Sequence, residues 1–220
     1  MKIITIESGR VARLFSADEI RPQGGINVAD FIRQTKERYA FSISPSEQAA
    51  KEQGAFFQSG RLIASNQKYN IGELKIYNDG VAVTAMDTDA AEYILNDVIT
   101  WGKDTFGIRE PITKPRTLYE SNLVVEFDPT IERALRAFEQ FRPLLENHLR
   151  QTYEQELPVH LSRIGLGFDP LGQPFIMRNE FGLERRINRP YSENRFFSIA
   201  PLKTRNHIEL LETFERLSSE

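Results

Sequence analysis

Apolar and polar positions along the chain follow two periods, and their alternation predicts a string of short strands broken by helices. Residues 2–7 and 11–15 read as two strands, with Ser8-Gly9 supplying hairpin turn chemistry between them. After Pro22-Gln23-Gly24-Gly25 comes a helix. Asn27 is placed to cap it, Asp30 sits at N3, and Val28, Phe31, Ile32 and Tyr39 share one face. Residues 42–55 are small and polar and read as a flexible loop.

A second hairpin is the clearest element. Strands over 71–77 and 81–86 flank Asn78-Asp79-Gly80, whose Asp-Gly step favours the positive φ angles of tight turns. A helix over 87–106 follows at once. Asp87 or Thr88 caps it, Gly107 stops it, and Ala91, Ile94, Leu95, Val98 and Trp101 form its apolar stripe.

Residues 117–127 form the next strand, and Asp128-Pro129 opens a long helix with a cap followed by proline. Ala134, Leu135, Phe138, Phe141, Leu145 and Leu149 line one side of that helix. Glu132–Arg136 and Glu146–Arg150 pair on the other, and Pro143 is expected to kink or split it. Strands are expected over 159–166, 174–178 and 195–200. A last helix, over 206–217, turns Ile208, Leu211, Phe214 and Leu217 inward. No repeat of fixed period is visible.

Hairpins imply antiparallel pairing. The expected fold is α+β: a largely antiparallel sheet built from hairpins with three to four helices packed on it. The 220 residues are expected to make a single domain, with 109–116 as the place where it would subdivide.

Composition removes whole classes of chemistry. Hydrophobic residues make up 40% of the chain and charged ones 27%, which excludes a wholly disordered protein. No run of 18 apolar residues occurs, so no membrane partner is expected. The first charge after Lys2 falls at Glu7, too early for a signal peptide. The absence of cysteine excludes thiolate metal sites and cysteine nucleophiles and fits a cytoplasmic location.

No cofactor or metal motif is present. His148, His160 and His207 lack metal-ligand spacing, and Gly165-Leu166-Gly167 does not continue into a dinucleotide-binding pattern. Glu126 and His160 are the residues on which a carboxylate/His-dependent hydrolase would rest. Glu126 and Asp128 flank Phe127 at a strand end, but Asp128 is explained as a cap.

The net charge of −3 conceals an uneven distribution. Segment 178–207 carries seven basic residues against three acidic ones, a net of +4, with Tyr191, Phe196 and Phe197 interleaved. The helix over 87–106 carries five acidic residues against Lys103 alone, a net of −4. These two features carry the functional expectation: a non-enzymatic protein-binding or assembly module, with a homo-oligomer as one form of it. Its contact residues are Arg185, Arg186, Arg189, Tyr191, Arg195 and Arg205 on a basic arm, and Asp89, Glu92 and Asp97 on an acidic helix. The alternative partner for the same arm is nucleic acid, bound without regard to sequence through phosphate pairing and base stacking.

Overall fold

A computed structural model describes residues 1–15, 17–20, 22, 25–64, 66–77, 79–127, 136–156, 158–167, 180–186 and 188–219. Its strands are β1 (Lys2–Leu14), β2 (Ala55–Ala64), β3 (Gln67–Tyr77), β4 (Gly80–Ala85), β5 (Arg116–Glu126), β6 (Arg163–Leu166), β7 (Phe181–Arg185) and β8 (Arg195–Ala200). Its helices are α1 (Ala17–Ile20), α2 (Val28–Arg38), α3 (Glu47–Gln53), α4 (Thr88–Phe106), α5 (Arg136–Tyr153) and α6 (Thr204–Ser219). The fold is α+β. The eight strands form one antiparallel sheet in the order β2-β3-β4-β1-β5-β8-β7-β6.

The element order repeats. Strand, helix, three strands and helix (β1, α2, β2–β4, α4) recur as β5, α5, β6–β8 and α6, with α1 and α3 as additions to the first copy. In each copy the opening strand lies beside the last of the three, β1 by β4 and β5 by β8. No sequence period announces this, because the two copies share element order and not residues.

Contacts divide the chain into two compact units. Unit 1 is Met1–Ile6, Asn122–Ala200 and Arg205–Glu220; unit 2 is Glu7–Ser121 and Pro201–Thr204. Residues 109–116 thus lie wholly within unit 2, and the division runs through β1 and β5.

In unit 2 the stripe of α4 does what its spacing requires. Ala91, Ile94, Leu95 and Val98 are buried with Val81, Val83, Ile71 and Leu74 of the sheet, each large side chain contributing about 1.5–3 kcal/mol. Asp87 accepts the Ala90 N–H at 2.7 Å, and Gly107, at φ 63°, returns its N–H to the Lys103 carbonyl. On α2, Asn27 accepts the Asp30 N–H at 3.2 Å. Tyr39, Phe41, Phe57 and Trp101 add an aromatic cluster with centroids 5.1–6.0 Å apart.

Thr88 and Thr204, each the first residue of its helix, bond reciprocally. Thr204 N–H donates to Thr88 Oγ1 at 2.8 Å, Thr88 N–H donates to Thr204 Oγ1 at 3.1 Å, and the hydroxyls are 3.1 Å apart. Both residues are buried. Thr88→Val therefore leaves the Thr204 N–H buried without its acceptor, and we expect a loss of about 1–3 kcal/mol in urea denaturation, largely restored by Thr88→Ser. A Thr88→Val protein as stable as the native one would contradict this reading of the pair.

Four expectations are corrected. Ser8-Gly9 is not a turn: β1 runs unbroken through both, and Gly9 pairs with Ala85. Residues 47–53 of the expected loop are helical, with Ser46 accepting the Ala49 N–H as cap. Pro143 does not split the long helix, since it lies inside one continuous α5, and Phe141 of the expected buried stripe is 56% exposed. Leu217 points outward at 60% exposure, while Leu211 is buried and Ile208 and Phe214 pack in the core of unit 1.

The β3–β4 hairpin is present, joined Tyr77 to Gly80. Gly80 has no positive φ; it is needed because a Cβ there would meet the Arg13 carbonyl oxygen at 2.7 Å. The expected cap Asp128-Pro129, stripe positions Ala134 and Leu135, the Glu132 side of its pair and the strand over 174–178 lie outside the described residues.

Candidate functional site

The described residues of segment 178–207 belong to unit 1 and to the last residues of unit 2 and do not form a separate arm. Its described residues supply β7, a single 3-10 turn at Tyr191–Glu193, β8 and the start of α6. Asn188 and Asn194 take φ angles of 66° and 51°, the left-handed conformation that asparagine tolerates, and so turn the chain between the strands. Asn194 is buried and donates through Nδ2 to the Phe127 carbonyl at 2.9 Å.

That connection brings Arg185, Arg186, Arg189, Tyr191 and Arg195 to one cleft of about 300 Å³ in unit 1. Arg185 is fixed from below. Its Nε donates to the Leu161 carbonyl at 2.8 Å and its Nη1 to the Tyr191 carbonyl at 3.0 Å. Its guanidinium lies 4.7 Å and 4.8 Å from the Tyr191 and Phe196 ring centroids.

Arg195 donates to Glu126 at 2.7 Å and lies 3.3 Å from Glu193; the Glu126 carboxylate holds its guanidinium above the usual pKa. Arg189, itself exposed, stands 3.9 Å from the half-buried Glu193, a loose pair. Arg186 and Arg189 are exposed at the rim, as is Tyr191, whose other side stacks on His160 at 4.6 Å. Among the described residues, four guanidiniums thus share the cleft wall with one carboxylate, Glu184. Arg178 lies outside the described residues, and Arg205 is exposed in the first turn of α6.

The acidic helix is spent differently. Glu92 accepts the Tyr119 hydroxyl at 2.9 Å and pairs with Lys203 at 2.8 Å, so one basic residue of the expected arm meets the acidic helix within unit 2. Burial pushes the Glu92 carboxyl up, but Lys203 and Tyr119 outweigh it and leave it below the ordinary range. Asp97 accepts the Tyr39 hydroxyl at 2.8 Å and Arg38 at 3.0 Å. Burial and then the Asp97 carboxylate push the Tyr39 phenol up. Asp89 alone of the three expected contact carboxylates is exposed.

Catalytic candidates are likewise engaged. Glu126 holds Arg195, and His160 lies flat on Tyr191. His207, which nothing in the sequence distinguishes, is fully buried in α6 with Nε2 2.8 Å from Ser198 Oγ. Ser198 is equally buried and donates to the Gly182 carbonyl at 3.0 Å, so this serine–histidine pair offers no nucleophile to solvent. Among the described residues, no group of three or more His, Cys, Asp or Glu is placed to hold a metal ion, and no helix is long and apolar enough to cross a membrane.

Fold and cleft together define an α+β protein with an arginine- and tyrosine-walled cleft built on a strand-to-strand connection. No protein-family model matches the sequence, and no curated protein matches it.

Proposed function

We propose that the protein is a non-enzymatic binding module whose unit 1 cleft takes a carboxylate-rich segment of a protein partner. The observation that carries this reading is the convergence of Arg185, Arg186, Arg189 and Arg195 with Tyr191 on one cleft of about 300 Å³. Arg185 and Arg195 are held in place by their own bonds, and the guanidinium forks of Arg186 and Arg189 lie at the solvent-exposed rim beside an ordered aromatic face. Such forks bind carboxylates in pairs of parallel hydrogen bonds.

The size of the cleft suits one or two side chains rather than a long backbone track, and the net charge of −3 disfavours bulk attraction to nucleic acid. Glu92 and Asp97 are engaged within unit 2, which favours a foreign acidic segment over the acidic helix of a second copy.

The test is fluorescence anisotropy with a labelled glutamate-rich decapeptide at low salt. We expect saturable binding, a loss of at least tenfold in Arg186→Glu/Arg189→Glu, and no binding of the glutamine-rich analogue. Tighter binding of a labelled single-stranded oligonucleotide, with a steep salt dependence, would overturn the reading in favour of nucleic acid. A doubled mass at low salt in light scattering would overturn it in favour of self-association.

A further inference from the structure

Unit 2 contains a cavity of about 310 Å³ that the arginine cleft does not explain. Its walls are apolar: Phe15, Phe31, Ile76, Val81, Val98 and Ile108 contribute to them. Protein interiors are close-packed, with few voids larger than a water molecule, whereas ligand pockets begin near this size and are mostly apolar with a few polar groups. The cavity is also built deliberately. Residues 108–115, which close one side, are tied down at two points: Arg109 N–H donates to the Ile20 carbonyl at 3.0 Å, and Thr113 donates from its backbone and hydroxyl to Glu19 at 3.1 and 2.8 Å.

The charged residues at this apolar wall are unbalanced. Among the described residues, Arg13, Lys103 and Arg109 line the cavity against the one carboxylate of Glu110. Lys103 and Glu110 pair with each other. Arg13 donates to the neutral Asn96 at 2.9 Å, and Glu92, a carboxylate that its charge acts on, is held by Lys203 and Tyr119. The Arg109 side chain has no hydrogen-bond partner among the described residues. Among the described residues, neither guanidinium at the edge of this apolar chamber forms a salt bridge with a carboxylate.

We propose that this cavity binds a single-chain amphipathic carboxylate, its apolar chain in the chamber and its acid group at Arg13 and Arg109. A volume of about 310 Å³ holds on the order of ten water-sized groups, which sets the chain at roughly eight to ten carbons. Methylenes beyond that length would lie outside the chamber, and shorter chains bury fewer of them. This site is independent of the arginine cleft and stands or falls without it.

The experiment is isothermal titration of the full chain with sodium decanoate below its micelle-forming concentration, and with decanol as the uncharged counterpart. We expect one saturable site for decanoate and at least fivefold weaker binding of decanol. Arg109→Glu should weaken decanoate at least tenfold and decanol far less, since decanol brings no charge for the guanidinium to pair. Ile99→Trp, which fills the chamber, should remove both ligands; Ile108→Trp, on the closing segment, gives the same readout if the first variant does not fold. The proposal is overturned by absent saturation with decanoate up to 1 mM, by decanol binding as tightly as decanoate, or by full decanoate affinity in a folded chamber-filled variant.

Discussion

Gly9→Ala should destabilise the protein by about 3 kcal/mol or more, the largest effect expected of any single methyl group added to the chain. A Cβ at position 9 would lie 2.1 Å from the Asp87 carbonyl carbon and the Thr88 nitrogen, and 2.6 Å from the Asp87 Cα. These are backbone atoms, so no rotamer change relieves the collision. They also belong to the start of α4, where Asp87 caps the Ala90 N–H and Thr88 exchanges bonds with Thr204. Moving them away from β1 loosens a cap worth about 0.5–2 kcal/mol and strains the buried threonine pair. Gly72→Ala is the control. Its nearest contact would be ordinary, 3.4 Å to the Thr84 carbonyl oxygen, and its φ is not positive. Urea denaturation should place Gly72→Ala within about 0.5 kcal/mol of the native chain. If Gly9→Ala falls there too, the close approach of β1 to α4 is wrong.

Gly9 also shows where local sequence signals stop. Ser8-Gly9 has the chemistry of a turn, and the same glycine serves a strand that another backbone touches; only the non-local partner, at 87–88, distinguishes them. Signals that are complete within a few residues were legible. Asn27 and Asp87 cap as expected, Gly107 stops α4, and the stripe Ala91, Ile94, Leu95, Val98 is buried. Strand β2 was not legible, because Gln58-Ser59-Gly60-Arg61 interrupts its alternation and Ser59 takes a positive φ of 54°. Its pairing with β3, from Ala55↔Ile76 to Ala64↔Gln67, supplies what its own residues lack.

The candidate site was half legible for the same reason. The arginines stand out by charge, yet their convergence depends on β7, five residues long and antiparallel to β8, which sets Arg185 against Phe196. Asp97 and Glu92 look like contact residues in a charge count. The structure spends them on Arg38, Tyr39, Tyr119 and Lys203, partners up to 111 residues away. The apolar cavity had no signature at all, since its walls come from seven separate stretches of chain whose apolar residues look like ordinary core.

Between pH 6.5 and 4.5, stability should fall by about 2 kcal/mol through one residue, His207. Burial pushes this imidazole down from 6.5 to about 4. Because Ser198 Oγ donates to the Gly182 carbonyl, the hydrogen between Ser198 and His207 belongs to Nε2, which fixes the neutral tautomer. In the unfolded chain the same imidazole takes up a proton near its ordinary value. Across this window the unfolded state binds the extra proton, so the stabilisation is complete above pH 6.5 and is lost as pH falls toward 4. The carboxylates held below their ordinary range, Glu73 and Glu92 among them, lose their contribution only below about 4.5, which leaves the interval above it to His207. His207→Gln keeps a neutral donor toward Ser198 but cannot be protonated. Its midpoint in urea should therefore change little from pH 6.5 to 4.5, while the native chain's drops steadily. Equal slopes for the two proteins would remove His207 as the source, and with it the claim that the Ser198–His207 pair is a sealed part of the core rather than a reactive one.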